Sequence, residues 1–226
     1  LATNALLANG TEAIMAPGAD SHWDTPTLAR AAQPAPSLVD AAAENRGVFR
    51  AWYPEGNPMM NLQRFSYTEE ALAARGDWDP VDNPIVRCEQ PGMPVPLFHP
   101  RPILLTDEGD IVGLHHSYFD TRRTIHMGET LSAADQPASH LGFSQGSWEN
   151  EQTLVVETTR IDYPYFDVSG TLQSGEIKVT ERFVLSDDQS RLDYRVTISD
   201  PVALTESVTA EWHYLALDEP FSVYEC

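Results

Sequence analysis

Residues 177–198 read IKVTERFVLSDDQSRLDYRVTI. Ile177, Val179, Phe183 and Leu185 alternate with polar neighbours, and after the turn signal SDDQS so do Leu192, Tyr194, Val196 and Ile198. A period of two on both sides of a short polar turn predicts a β-hairpin with one buried face. Glu181 falls on that same face. A carboxylate among such neighbours must be paired, protonated or functional.

The pattern extends in both directions. ILLTDEGDIVGLHHSYF (103–119) reads as two strands around Asp107-Glu108-Gly109. RRTIHMG follows, and then the polar loop ETLSAADQPASH. Further strands are read in GFSQGSWE, TLVVETTRI and SVTAEWHYLAL, and a short one in GVFRAWY (47–53). About eight strands joined by short turns, without intervening helices, predict a mainly β protein built as an antiparallel meander. Because open edges invite aggregation, such a meander closes into a lipocalin-like barrel or folds into a β-sandwich, and strand number favours the barrel.

The remaining segments are not strands. Residues 1–45 are Ala-rich with scattered Pro and form an irregular N-terminal extension that could grip a protein partner. Residues 46–226 then make a single β domain. SYTEEALAARG predicts a helix near 67–75, with Ser66 and Glu69 as a capping box and Gly76 as its stop. Prolines in DPVDNPIVRCEQPGMPVPLFHPRP exclude helix interior and central strand, so an extended strap is expected over 80–102.

Composition narrows the partners. Lys and Arg number 14 against 34 Asp and Glu, a formal net charge of −20. Phosphate binding needs cationic clusters, so nucleic acid and anionic membrane surfaces are disfavoured. No apolar run approaches the roughly 18–20 residues of a transmembrane segment. The chain opens on Leu1 rather than Met, so an upstream segment of unidentified kind is expected. Cys88 and Cys226 could pair as a disulfide in an oxidising compartment, or stand as unrelated thiols.

Gly142-Phe143-Ser144-Gln145-Gly146 fits the G-x-S-x-G nucleophile elbow. An elbow sits between a buried parallel strand and a helix. Here QPASHL precedes it and a β-branched strand follows, and the chain shows no βαβ alternation. Ser144 is therefore read as a strand residue, with Gly142 and Gly146 relieving crowding or marking a bulge.

The segment GFSQGSWENEQTLVVETT, with SGTLQSGEIKVTERF and LDYRVTISDP after it, resembles a large, poorly characterised family of exported bacterial β-rich proteins. The matching positions are Gly142, Ser144, Gly146, Trp148, Glu149, Leu154, Val155, Val156, Thr158, Gly170, Ser174, Glu181, Arg182, Phe183, Asp200 and Pro201. The Pro-rich strap with its cysteine and the YEC ending are also similar. The likeness spans roughly residues 80–226. Phe143 departs from it, standing where the family often has His, and ENEQ is one residue longer than the usual turn. The resemblance implies export to a periplasmic or extracellular location. It implies no established activity.

Two clusters bear on function. A two-residue turn at Asp120-Thr121 would set His115 opposite His126 and group Val112, Leu114, His116, Tyr118, Ile125 and Met127 on the other face. His115 and His126 could begin a metal site, with His213 and His140 as candidate thirds, but no ligand spacing supports one and no metal is assigned. His116, Arg123, Glu181, Trp212 and Tyr214 should point inward. Arg123 and Glu181 could simply close the barrel as an ion pair. Alternatively, His116, Tyr118, Arg123, Glu181, Trp212 and Tyr214 are the polar and aromatic groups of a ligand pocket, with His116 or Glu181 available as general acid or base. The leading expectation is an exported barrel binding a small apolar or amphipathic ligand. The enzyme alternative is a lyase, isomerase or hydratase using His116, Arg123 and Glu181 without a cofactor. The structural alternative is an accessory subunit of an extracytoplasmic assembly. A pocket favours the first two, and a lumen filled by its own side chains favours the third.

Overall fold

The computed structural model describes residues 47–57, 65–128, 131–217 and 219–224. The N-terminal extension and Cys226, and with it the expected Cys88 pairing, lie outside the described residues. Cys88 itself is exposed and ends a 3-10 turn in a left-handed conformation.

Nine strands form a closed barrel: β1 Ala51–Pro54, β2 Ile103–Asp107, β3 Ile111–His116, β4 Thr121–Met127, β5 Phe143–Asn150, β6 Thr153–Thr159, β7 Lys178–Leu185, β8 Arg191–Ser199 and β9 Val208–Leu215. Neighbours in sequence are neighbours in space, and β9 returns to pair with β1. The alternation read from sequence is the inside–outside alternation of the wall. Val179, Glu181, Phe183 and Leu185 face inward from β7, and Leu192, Tyr194, Val196 and Ile198 from β8.

The barrel is not antiparallel throughout. An odd number of strands cannot alternate in direction around a closed ring, so one neighbouring pair must run parallel. That pair is β4–β5, joined by residues 128–142, the long connection that a parallel pair requires. Two glycines fit β5 to this place. Gly142 enters the strand at φ +72°, and a Cβ on Gly146 would lie 2.4 Å from Met127 Sδ and 2.7 Å from Ile125 Cγ2. Close approach by β4 thus demands glycine. The strand irregularity in β5 falls later, between Trp148 and Asn150.

The β3–β4 hairpin keeps the expected faces but not the expected register. His115 lies opposite Arg122, and His126 opposite Ile111. The turn residues are Phe119 and Asp120, both at positive φ, and Tyr118 O accepts from Thr121 N at 3.3 Å. Ser117 leaves the ladder to bond Pro102 and Tyr224 through its backbone. The partner of each residue moves by an even number of positions, so inward residues stay inward.

The Pro-rich segment is a chain of 3-10 turns (Pro80–Asp82, Pro84–Arg87, Val95–Phe98) rather than an extended strap. Proline is the first residue of the first two turns and the second residue of the third, positions where its missing N–H goes unused. Residues 91–98 are buried, and Met93, Val95, Leu97 and Phe98 belong to the barrel's hydrophobic core. Gln173 Nε2 donates to both Met93 O (2.8 Å) and Tyr163 O (2.6 Å), fixing the segment to the loop after β6. Helix α1, Glu69–Gly76, is capped by Thr68, whose Oγ1 accepts from Ala71 N. Ser66, the expected cap, instead donates to Glu206.

Gly146→Val should destabilise the protein by about 1–3 kcal/mol, the usual range for overpacking. Gly175→Ala, with open space around its Cβ, is the control. Urea unfolding midpoints compare the two, and an unchanged midpoint for Gly146→Val would refute the close-packed seam.

Candidate functional site

The interior of the barrel holds a charged centre. Arg123 on β4 reaches past β5 and β6 to Glu181 on β7, with Nη2 2.6 Å from Glu181 Oε2. Both side chains are almost fully buried, at 2% and 1% exposed. The same Nη2 donates to Thr158 Oγ1 (2.8 Å) and Ser144 Oγ (3.1 Å), and these two hydroxyls lie 2.8 Å apart. Tyr194 Oη donates to Glu181 Oε1 at 2.8 Å. Inward positions on β5, β6 and β7 thus converge on one guanidinium, and one on β8 holds its carboxylate partner.

The electrostatics follow from this geometry. Burial works against charge on Arg123, but the Glu181 carboxylate beside it holds the guanidinium protonated, above its ordinary range. Burial, reinforced by Glu181, pushes the Tyr194 hydroxyl far above its usual range, so it stays a donor.

His116 lies on the same inner face. His116 pairs with Thr121 and Leu114 pairs with Arg123 across β3–β4, so His116 and Arg123 are diagonal neighbours, roughly 7–8 Å apart at Cα. Burial, aided by the charges of His99 and Arg123, lowers the His116 pKa to about 3. Its Nδ1 accepts from Tyr118 N at 3.2 Å, so the neutral ring carries its proton on Nε2. That N–H has no acceptor in the protein, and neither do Arg123 Nε and Nη1.

The expected pocket residues divide into three places. Arg123, Glu181 and His116 share the inner face. Trp212 and Tyr214 are buried on β9, with Trp212 packed on Tyr194 at a ring separation of 4.5 Å. Tyr118 sits at the β3–β4 turn, stacked on His99 (3.8 Å) and Tyr224 (6.0 Å). The histidines considered for metal are separate. His115 bonds Asp120, His126 stacks on Phe143, His140 packs on Tyr163, and His213 lies beside Glu55. Among the described residues, no group of three His, Cys, Asp or Glu side chains could hold a metal ion.

Around this centre the interior is filled. Trp52, Leu154, Phe183, Leu192 and Ile198 are each no more than 1% exposed. Surface hollows lie at the parallel seam. Only Ile125–Met127 of β4 pair with β5. Beside the unpaired part of β4, a hollow of about 230 Å³ is lined by Arg122, Arg123, Thr124, His126, Leu141, Phe143 and Ser144. Arg123 and Ser144, members of the buried centre, contribute to this lining while staying 5% and 3% exposed. A larger hollow of about 610 Å³ lies at the other end of the seam, beside Phe49, Met127 and Trp148.

Ser144, Thr158 and Tyr194 are the members of the centre that sequence reading missed. The available signal was a small hydroxyl or a phenol at an inward position of an otherwise apolar alternation. The fold and site define a closed β-barrel with a buried Arg–Glu centre and a surface hollow at its parallel seam. Comparison with protein-family models and with curated proteins finds no match, so function rests on this geometry.

Two outcomes test the centre. Arg123→Met leaves a buried carboxylate without its counter-charge and should cost about 3–5 kcal/mol in urea unfolding, whereas the double variant Arg123→Met/Glu181→Leu should recover much of that loss. Additive losses would show that the two do not act as a pair. His116 stays neutral in the folded state down to about pH 3, while the unfolded chain protonates near 6.5. Between those values the unfolded state binds more protons, so stability should fall as pH is lowered from about 6.5 toward 3, by up to about 1.4 kcal/mol per pH unit. His116→Phe should flatten that slope, and an unchanged slope would refute the assignment.

Proposed function

We propose that this is an exported β-barrel protein that binds a small apolar or amphipathic molecule at the parallel seam, with the ligand's polar end at the Arg123 centre. The observation that carries this reading is that Arg123 and Ser144 belong both to the buried polar centre and to the lining of the seam hollow. Leu141 and Phe143 give that hollow an apolar side. Its volume lies below the roughly 300–1,000 Å³ of pockets for drug-sized ligands, so the molecule is small. Export to the periplasm or the extracellular space rests on the family resemblance, and a Cys88–Cys226 disulfide would accord with it.

A second reading has its own support. The filled interior is what a structural or accessory subunit needs, since such a protein uses its barrel as a rigid body.

Native mass spectrometry of the protein recovered from periplasmic or extracellular fractions separates the two. The expected result is the chain with a small non-covalent adduct that is lost in Thr124→Trp, a change that fills the hollow from the exposed side of β4. Recovery only from the cytoplasm would refute export. A bare chain, with no ligand-dependent shift in melting temperature across a small-molecule library, would favour the structural reading.

A further inference from the structure

The inner faces of four strands end together at one end of the barrel. Asp107 closes β2, Val112 stands at the start of β3, Met127 closes β4, and Trp148 lies near the end of β5. Asp107 is the cross-strand partner of Val112, and Trp148 that of Leu154. Val112 and Leu154 are buried inward residues, and direct cross-strand partners share a face. Asp107 and Trp148 therefore hold inward positions too, yet both are exposed, Trp148 by 40%. With Phe49, which precedes β1 at the same end, these side chains line the hollow of about 610 Å³. That hollow is thus the mouth of the barrel. Barrel mouths are common ligand sites, and this volume falls in the usual range for them.

The lining says what kind of ligand fits. Phe49 and Trp148 meet edge to face, with ring centroids 6.1 Å apart and planes at 77°, so two aromatic walls stand nearly at right angles. Aromatic faces attract cations, and methylated ammonium groups above all. Met127 adds a polarizable thioether. Asp107 is the charged group of the lining, and no described basic side chain accompanies it there. The rim turn after β2 adds Glu108 and Asp110, on a protein of net charge −20. An anion meets repulsion on every side. A neutral hydrocarbon would cover the Asp107 carboxylate without offsetting the loss of its water. A metal ion needs several oxygen ligands, whereas one carboxylate lines the hollow. A compact ammonium is strongly hydrated. A methylated one presents C–H surface, which two rings and a thioether can receive.

We infer that the barrel mouth binds an organic cation of the trimethylammonium class, with its methyl groups against Trp148 and Phe49 and its charge facing Asp107. The site is separate from the hollow beside Arg123, so the inference goes beyond the seam-binding reading and does not depend on it.

Choline and its uncharged carbon isostere, in which a tert-butyl group replaces trimethylammonium, test this because they match in shape and differ in charge. Each is titrated into the full chain and followed by its methyl proton resonance. Choline is expected to bind about tenfold more tightly, with its methyl signal moved upfield by the rings. Trp148→Ala should abolish that shift. Asp107→Asn, which keeps an acceptor for the Gly109 N–H that Asp107 Oδ1 now receives at 3.0 Å, should weaken choline binding severalfold and leave the isostere unchanged. Thr124→Trp fills the other hollow and should change neither. Equal binding of the two probes, or no binding of choline to the unsubstituted chain, would overturn the inference. Loss of choline binding in Thr124→Trp would move the ligand to the Arg123 hollow and overturn the mouth site. Choline binding joined by flotation on phosphatidylcholine but not phosphatidylglycerol vesicles supports a lipid headgroup as the source, and choline binding without flotation supports a free cation.

Discussion

A closed ring of nine strands cannot alternate, and much of this molecule follows from that constraint. One parallel junction is forced, and β4–β5 supplies it. Parallel neighbours need a return connection from one end of the barrel to the other, and residues 128–142 make it. Gly142 and Gly146 let β5 enter beside β4 at close range. Because the two strands pair over only Ile125–Met127, the wall beside the first half of β4 is left to side chains and loop. The hollow beside this part of the wall is therefore a consequence of strand count, and Arg123 contributes to its lining.

The charged centre belongs to the same part of the wall. Arg123 leaves the unpaired half of β4 and spans two strands to find Glu181. A buried ion pair is weak support for stability, because desolvating both ions offsets much of their attraction. What the pair does supply is direction. Ser144, Thr158, Glu181 and Tyr194 each place an oxygen toward it from a different strand, so the inner faces of β5 to β8 are pinned to β4 at one height. A register slip in any of these strands would bury an unmet polar group. The centre thus specifies how strands are aligned beside the junction where backbone pairing is shortest, while still leaving guanidinium donors unused.

The sequence made some of this legible and hid the rest, for physical reasons. Period-two alternation in IKVTERFVL and RLDYRVTI revealed the strands and placed Glu181 inside, because burial acts on one residue at a time. The same alternation carries no direction, so the parallel junction could not be read from it. The β3–β4 register departs from the expected one because Phe119, a bulky residue at φ 54°, gives no turn signal, whereas Asp120-Thr121 does. Faces survived the error because the displacement was even. The prolines exclude helix interior and central strand but carry no signal of the segment's burial. Its apolar residues, Met93, Val95, Leu97 and Phe98, follow no period, since successive 3-10 turns rather than a strand present them to the core. The convergence of Ser144 and Thr158 on Arg123, and of Tyr194 on Glu181, depends on long-range pairing and is equally out of reach.

The segment that first suggested a nucleophile elbow has a different physical explanation. An elbow serine is exposed on a strained turn so that it can attack. Ser144 is 3% exposed, lies within β5 and is held between Arg123 and Thr158. The flanking glycines serve the strand: Gly142 turns the chain into β5, and Gly146 lets Met127 and Ile125 approach. The same spacing arises in both settings because each needs small residues on either side of a serine, one for a tight turn and the other for a parallel neighbour at close range. Here the motif marks where the barrel wall changes direction. Its serine brings a hydroxyl from that junction to the charged centre, which is why the seam hollow and the centre share a residue.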